Sequence, residues 1–222
     1  MIYTVYSCKM VVKIKRFIQG MMKMIDIILN LAIVLATPLL LIRFWRRTGR
    51  QDREKFRAAF RFFTVLSNIL CSVTALIMLI ALLAGAVPEW VWILKYIGTA
   101  AVTVTMLTVF LFLAPSVGKD WYDVLLKSLG DLFMHLLTPL MALVSFCVFE
   151  RRGMTFPRSM FGLLPVALYG PVYLYHILLA PEGKRWNDFY GFNRGGKWPA
   201  AMAGMLAGTF LMCLGIMALQ NL

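Results

Sequence analysis

The chain has 222 residues, 61% of them hydrophobic and only 15% charged, with a formal net charge of +13. A water-soluble domain of this length carries far more polar surface, so composition makes lipid the main solvent. No stretch alternates polar and apolar at period two, which excludes a transmembrane β-barrel; the positive charge then reads as loop orientation and contact with anionic headgroups, not nucleic-acid binding.

Residues 1–23 are basic and half apolar, and lack an apolar core followed by a small-residue cleavage site. They read either as an interfacial amphipathic segment or as sequence upstream of a start at Met21, Met22 or Met24. Six stretches then meet the requirement of about 20 mostly apolar residues for a bilayer-crossing helix. They are 24–43, 62–86, 91–114, 126–149, 159–180 and 199–219. The loops between them leave no room for a separate soluble domain. The expected fold is all-α: a polytopic membrane protein, one six-transmembrane-helix bundle over 24–219.

Loop charge sets the expected orientation. The first, third and fifth loops, with their flanks, carry fourteen basic residues, from Arg43 through Lys119 and Lys127 to Lys197. The other side carries Lys23, Arg151, Arg152 and Arg158, plus Lys9, Lys13, Lys15 and Arg16 if the N-terminal segment counts. The excess predicts loops 44–61, 115–125 and 181–198 in the cytoplasm and both termini outside.

In chain order, the second stretch opens with FFTVLSN, Phe62 to Asn68. Thr64, Ser67, Asn68 and Cys71 recur at i, i+3, i+4 and i+7, which gathers them on one helical face. The plain reading is hydroxyls bonded back to their own helix and an asparagine joining helices. Thr99, Thr103, Thr105 and Thr108 in the third stretch read as packing residues. The fourth holds His135 in GDLFMHLLTP, with Asp131 four residues before it on the same face and Pro139 four after. A titratable group inside a membrane helix points to function, and the alternative is an interhelical hydrogen bond. The fifth holds His176 beside Tyr173 and Tyr175, which reads as an interfacial aromatic belt. Ala203, Gly204, Ala207 and Gly208 in the sixth read as a close helix-packing stripe. Cys71, Cys147 and Cys213 fall inside apolar stretches and read as small core residues.

Helical rise places Thr64 about 5 Å inside Arg61 and His135 roughly 12 Å inside Lys127, with His176 at a similar depth before Lys184. All three then share a leaflet, with Thr64 and His135 about 7 Å apart in depth if the helices are straight. There is no GxSxG, HExxH or P-loop motif and no metal-ligand spacing, so neither metal nor cofactor is implied. Haem held by two histidines is the weaker reading, since multi-haem membrane cytochromes carry more than one such pair.

RFFTVLSN on the second stretch and HLLTP on the fourth resemble the FAR-17a/androgen-induced-gene-like membrane proteins and their bacterial Pr6Pr relatives. The proline- and tyrosine-rich fifth stretch, followed by WNDFYGFNRGG at Trp186 to Gly196, is similar too. The resemblance implies a bacterial plasma-membrane protein that hydrolyses lipid esters, as family members do with fatty acid esters of hydroxy fatty acids. It implies Thr64 as nucleophile and His135 as base. Asp131 would then orient the imidazole, and Asn68 or Ser67 would donate to the oxyanion. At Asp131 the family more often has asparagine. His176, Tyr173 and Trp186 would border the pocket, the ester would enter from surrounding membrane lipid, and water from the cytoplasmic side. Two other classes remain open: a lipid or small-molecule transporter or binder using the same pocket, and a non-catalytic membrane protein whose polar groups are packing glue. Transporters often carry internal repeats, and the two three-helix halves show none.

Overall fold

The computed structural model describes residues 2–113 and 128–222, with side chains described over 13–111 and 128–222. Among the described residues, six helices are long and apolar enough to cross a membrane: Lys13–Gly49, Phe63–Leu83, Glu89–Leu111, Leu129–Phe149, Phe156–Leu179 and Trp198–Asn221. These are spans one to six below. No strand occurs among the described residues, and the chain is an all-helical integral membrane protein.

Five of the predicted stretches coincide with the spans to within a few residues, while the first span begins at Lys13 and ends at Gly49 instead of covering 24–43; the differences have local causes. The first helix runs without a break over Ile2–Phe44 and keeps Pro38 inside it, so the expected boundary at residue 24 leaves no mark on the backbone. Span two starts at Phe63 because Phe62 is extended, with φ −85° and ψ 133°. Span four starts after Ser128, whose hydroxyl accepts from the backbone N–H of Asp131 at 3.1 Å as an N-cap. Span five starts early, at Phe156, where Pro157 suits a first helical turn. The expected loop 115–125, with Lys119, lies outside the described residues, as does Lys127.

Span three is the most buried helix and the hub of the bundle, touching spans two, four, five and six. Its small residues permit close approach. A methyl group on Gly98 would run into the Thr74 hydroxyl and lie 3.1 Å from the Cα of Cys71 on span two. One on Gly162 would meet the Tyr96 phenol and Cys213. Trp92, Tyr96 and Phe146 stack at this junction, with ring centroids 5.1 and 5.5 Å apart. Thr99, Thr103 and Thr105 are buried in the packing as expected, and the three described cysteines, Cys71, Cys147 and Cys213, are buried free thiols. Leu35, Leu39, Ile80, Leu168, Leu179 and Leu211 point outward, as the lipid-facing side of such a bundle requires.

The small-residue stripe of span six is a correction. Ala203, Gly204, Ala207 and Gly208 are exposed, and nothing lies within 4 Å of a methyl group on Gly204 or Gly208. Span six instead packs through Met212, Cys213 and Ile216. Larger side chains bury more apolar area against the hub, so the small ones were left on the outer face.

The 44–61 loop is also structured. Asp52 caps the short helix Arg53–Ala59 through a 2.8 Å bond from Lys55 N–H, and Phe44, Trp45, Phe56 and Phe60 pack edge to face or stacked around it. The end of the bundle carrying this loop and the 181–198 loop is called the basic end below, and the other the terminal end.

Candidate functional site

At the basic end, the mouth of span two is finished by a distant loop. Phe62 provides no side-chain cap, so the first N–H of the helix would be left without a partner. Phe63 N–H donates instead to the phenol oxygen of Tyr190 at 2.9 Å, and the Thr64 hydroxyl lies beside the same phenol. Burial pushes the Tyr190 phenol above the usual tyrosine range. The loop holding Tyr190 is itself pinned. The Asp188 carboxylate accepts from the N–H groups of Phe192 and Asn193 at 2.9 and 2.7 Å and from the Tyr173 hydroxyl at 2.8 Å. Gly191, at φ +70°, makes the turn between these contacts. Tyr169 donates to the carbonyl of Arg61 at 2.6 Å, Phe62 packs on Phe189, and the Arg61 guanidinium lies 5.8 Å from the Trp186 ring centre.

Inside this aromatic collar, the Asn68 side chain hydrogen-bonds span two to span four. The Asn68 amide donates to the carbonyl of Thr64 at 2.8 Å and to that of Met134 at 3.1 Å. The two carbonyl oxygens are therefore no more than about 6 Å apart, the two bonds laid end to end. The Asn68 amide thus ties the Thr64 backbone to that of Met134, the neighbour of His135. The Ser67 hydroxyl lies 3.0 Å from the Thr64 carbonyl and 2.8 Å from the Thr105 hydroxyl on span three.

His135 sits in a π-helical turn, Phe133–Leu137, just before Pro139. Proline has no N–H to offer the carbonyl of residue 135, and the wider turn accommodates the fault. Asn68 and Ser67 do take the packing roles open to them. His135 differs: its Nδ1 is buried without a hydrogen-bond partner among the described residues. Asn68 Oδ1 and the Thr138 hydroxyl, three residues past His135, are likewise buried and free. Three polar atoms on spans two and four, Asn68 Oδ1, His135 Nδ1 and Thr138 Oγ1, therefore keep unused hydrogen-bonding capacity among the described residues.

The remaining expected site residues separate from this cluster. The Asp131 carboxylate accepts from the Ser128 hydroxyl at 2.7 Å, tying it into the cap of span four. His176 stacks flat on Trp186, with ring centres 4.1 Å apart, and its Nδ1 lies 3.3 Å from the Lys184 carbonyl. These two fasten the loop to span five. Tyr173 is buried against the 181–198 loop and receives a bond from Tyr190 N–H at 3.0 Å. Both hydrogens of the Asn68 amide and the one hydrogen of Ser67 already have acceptors, so Thr138 carries the free hydroxyl nearest His135 along the chain.

A second polar cluster lies toward the terminal end. It joins Asp26 and Asn30 of span one, Lys95 of span three, and Ser145 and Glu150 of span four and the residue after it. Lys95 Nζ donates to Asn30 Oδ1 at 2.5 Å and lies 3.6 Å from Glu150 Oε1. The Asn30 amide nitrogen is 3.0 Å from both Asp26 Oδ1 and Glu150 Oε1. Trp92 Nε1 donates to the Glu150 carbonyl at 2.7 Å, holding the end of span four against the hub. Reading the spans for histidine alone misses this cluster. Its signal is in the chain nonetheless: Asp26 and Lys95 are charged residues inside apolar stretches, where a charge is costly unless it faces a partner.

Comparison of the chain with protein-family models, curated proteins and solved structures finds no match.

Proposed function

We propose that the chain is an intramembrane hydrolase of lipid esters, with Thr64 as nucleophile and His135 as general base. The observation that supports this reading is the Asn68 bridge, which ties the Thr64 carbonyl to that of Met134, the residue beside His135, whose Nδ1 is buried without a hydrogen-bond partner among the described residues. A threonine hydroxyl needs a base to take its proton, and a free imidazole nitrogen is such a base. In the proposed reaction Thr64 Oγ1 attacks the ester carbonyl carbon as its proton passes to His135. The tetrahedral intermediate collapses, and His135 returns the proton to the departing alcohol. Water, deprotonated by the same imidazole, then releases the acid and restores Thr64. The free Thr138 hydroxyl is the suggested donor to the developing oxyanion, since Asn68 and Ser67 are already committed as donors. Asp131 acts from a distance through its charge. The proposed setting is a bacterial plasma membrane with the basic end in the cytoplasm. Esters would arrive from the bilayer, and water past the Trp186–Gly196 loop.

The test is hydrolysis of a hydroxy-fatty-acid ester by the purified chain in detergent micelles. Thr64→Ala and His135→Ala are each expected to lower turnover by about 10²–10⁴-fold while the helical content is retained. Turnover that survives both substitutions rules the mechanism out. Absent turnover with saturable ester binding, weakened by His135→Ala, would instead support the binder or transporter, which the same free polar atoms can serve.

A further inference from the structure

The terminal-end cluster poses a problem of hydrogen counting. Ser145 Oγ lies 2.8 Å from Asp26 Oδ1 and 2.8 Å from Glu150 Oε1. Both are hydrogen-bond distances for oxygen pairs, yet a serine hydroxyl has one hydrogen to give. If both carboxyl groups were ionised, one of these contacts would set two lone pairs against each other in a site closed to water. The Asn30 amide does not relieve this, because its two hydrogens face four oxygens: Asp26 O, Asp26 Oδ1, Ser145 Oγ and Glu150 Oε1, all within 3.1 Å. Charge gives the same answer. Two carboxylates against the single ammonium of Lys95 leave a net negative charge in an apolar bundle, and one added proton makes the cluster neutral.

We propose that Asp26 and Glu150 hold one proton in common across the Ser145 hydroxyl, forming an intramembrane proton-binding site with Lys95 as its fixed counter-charge. In one form the Asp26 acid donates to Ser145 Oγ while the Ser145 hydroxyl donates to the Glu150 carboxylate. In the other, the Asp26 proton has moved to Ser145 Oγ and the Ser145 proton to Glu150. Protons and charge balance between the two forms. The ligand class is the proton and not a metal cation, because the Lys95 ammonium already occupies the cationic position and a metal ion would be repelled by it. Glu150 Oε2, at the terminal end of span four, is buried without a hydrogen-bond partner among the described residues. The other titratable or charged groups facing the pair are Cys71 from span two and Cys147 from span four. Arg151 follows Glu150, but its guanidinium is turned onto the carbonyls of Cys147 and Leu219.

Infrared spectroscopy of the full chain in a detergent without carbonyl groups reads this directly. At pH 7 exposed carboxyl groups are ionised. The wild type is expected to show a protonated-carboxyl band equivalent to about one group per chain, shifted in D₂O by O–H to O–D exchange. Asp26→Asn and Glu150→Gln are each expected to abolish it, because the surviving carboxylate pairs with Lys95. Ser145→Ala keeps both carboxyl groups and is expected to move the band, since the acid loses its acceptor. A wild type without the band overturns the proposal, even if no variant folds. A band that survives both carboxyl substitutions, or that Ser145→Ala leaves in place, overturns it as well.

Discussion

Two polar clusters occupy the same bundle about 15 Å apart, ten residues along span four from His135 to Ser145. They use hydrogen bonds in opposite ways. At the terminal end nearly every polar atom is engaged: one lysine, two carboxyl groups, an amide and a hydroxyl close on one another, with Glu150 Oε2 left over. At the basic end, the Asn68 amide is spent on two backbone carbonyls, and Asn68 Oδ1, His135 Nδ1 and Thr138 Oγ1 have no hydrogen-bond partner among the described residues. A closed cluster offsets its own desolvation and ties helices together. An open one keeps its capacity for something else and relies on its neighbours for stability. Charge differs as well: Lys95 and Glu150 form an ion pair at the terminal end, whereas at the basic end Asp131 acts on the His135 imidazole without one.

The sharpest way to break this contrast is Lys95→Met. It strips the closed cluster of its only cation and is expected to cost about 3–5 kcal/mol, read as a large fall in the thermal midpoint in detergent. Adding Glu150→Gln to Lys95→Met should recover much of that loss, since an unpaired buried charge is worse than none. If Lys95→Met melts like the wild type, the cluster is not closed. Next in size is Asn68→Leu, which removes the bridge at the open cluster and leaves the Met134 carbonyl without its donor. The expected loss is about 1–3 kcal/mol of stability. Ester turnover, if present, should fall further than stability because Thr64 and His135 lose the bridge that ties their helices together. Equal retention of both would uncouple Asn68 from the site.

The smallest expected effect belongs to Tyr190→Phe. It deprives Phe63 N–H of its acceptor for about 1 kcal/mol. The pH dependence sharpens the test. A phenol whose folded pKa lies above its unfolded value of about 10 contributes stability that is intact below pH 10. That contribution is lost as pH rises from there through the folded value. Melting temperatures followed from pH 8 upward should therefore fall more steeply above pH 10 for wild type than for Tyr190→Phe. Identical slopes would mean that Tyr190 is not protected by burial.

The spans were legible in the sequence because apolar length is the one property the bilayer demands of each helix, and five of the six stretches met it to within a few residues, the first span starting eleven residues earlier than expected. Faces were less legible. A stripe such as Ala203, Gly204, Ala207 and Gly208 marks where a helix can be approached, but the neighbour that approaches is chosen by every other helix in the bundle. At the open cluster, the spacing of Thr64, Ser67 and Asn68 correctly placed them together on one side of span two. It held no information that the Asn68 amide would reach Met134, because that bond depends on how spans two and four lean. The closed cluster was visible residue by residue in Asp26, Lys95 and Glu150. Only their meeting across more than a hundred positions was hidden.

The bond from Phe63 to Tyr190 joins residues 127 positions apart. During synthesis from the N-terminus, the first turn of span two is made long before the tyrosine that finishes it. That turn carries Thr64 and must wait, its leading N–H held by water or a headgroup, until the fifth helix has been laid down and the following loop has folded back. The order of assembly is thereby written into one phenol: the mouth of an early helix is among the last parts of the protein to reach its final form.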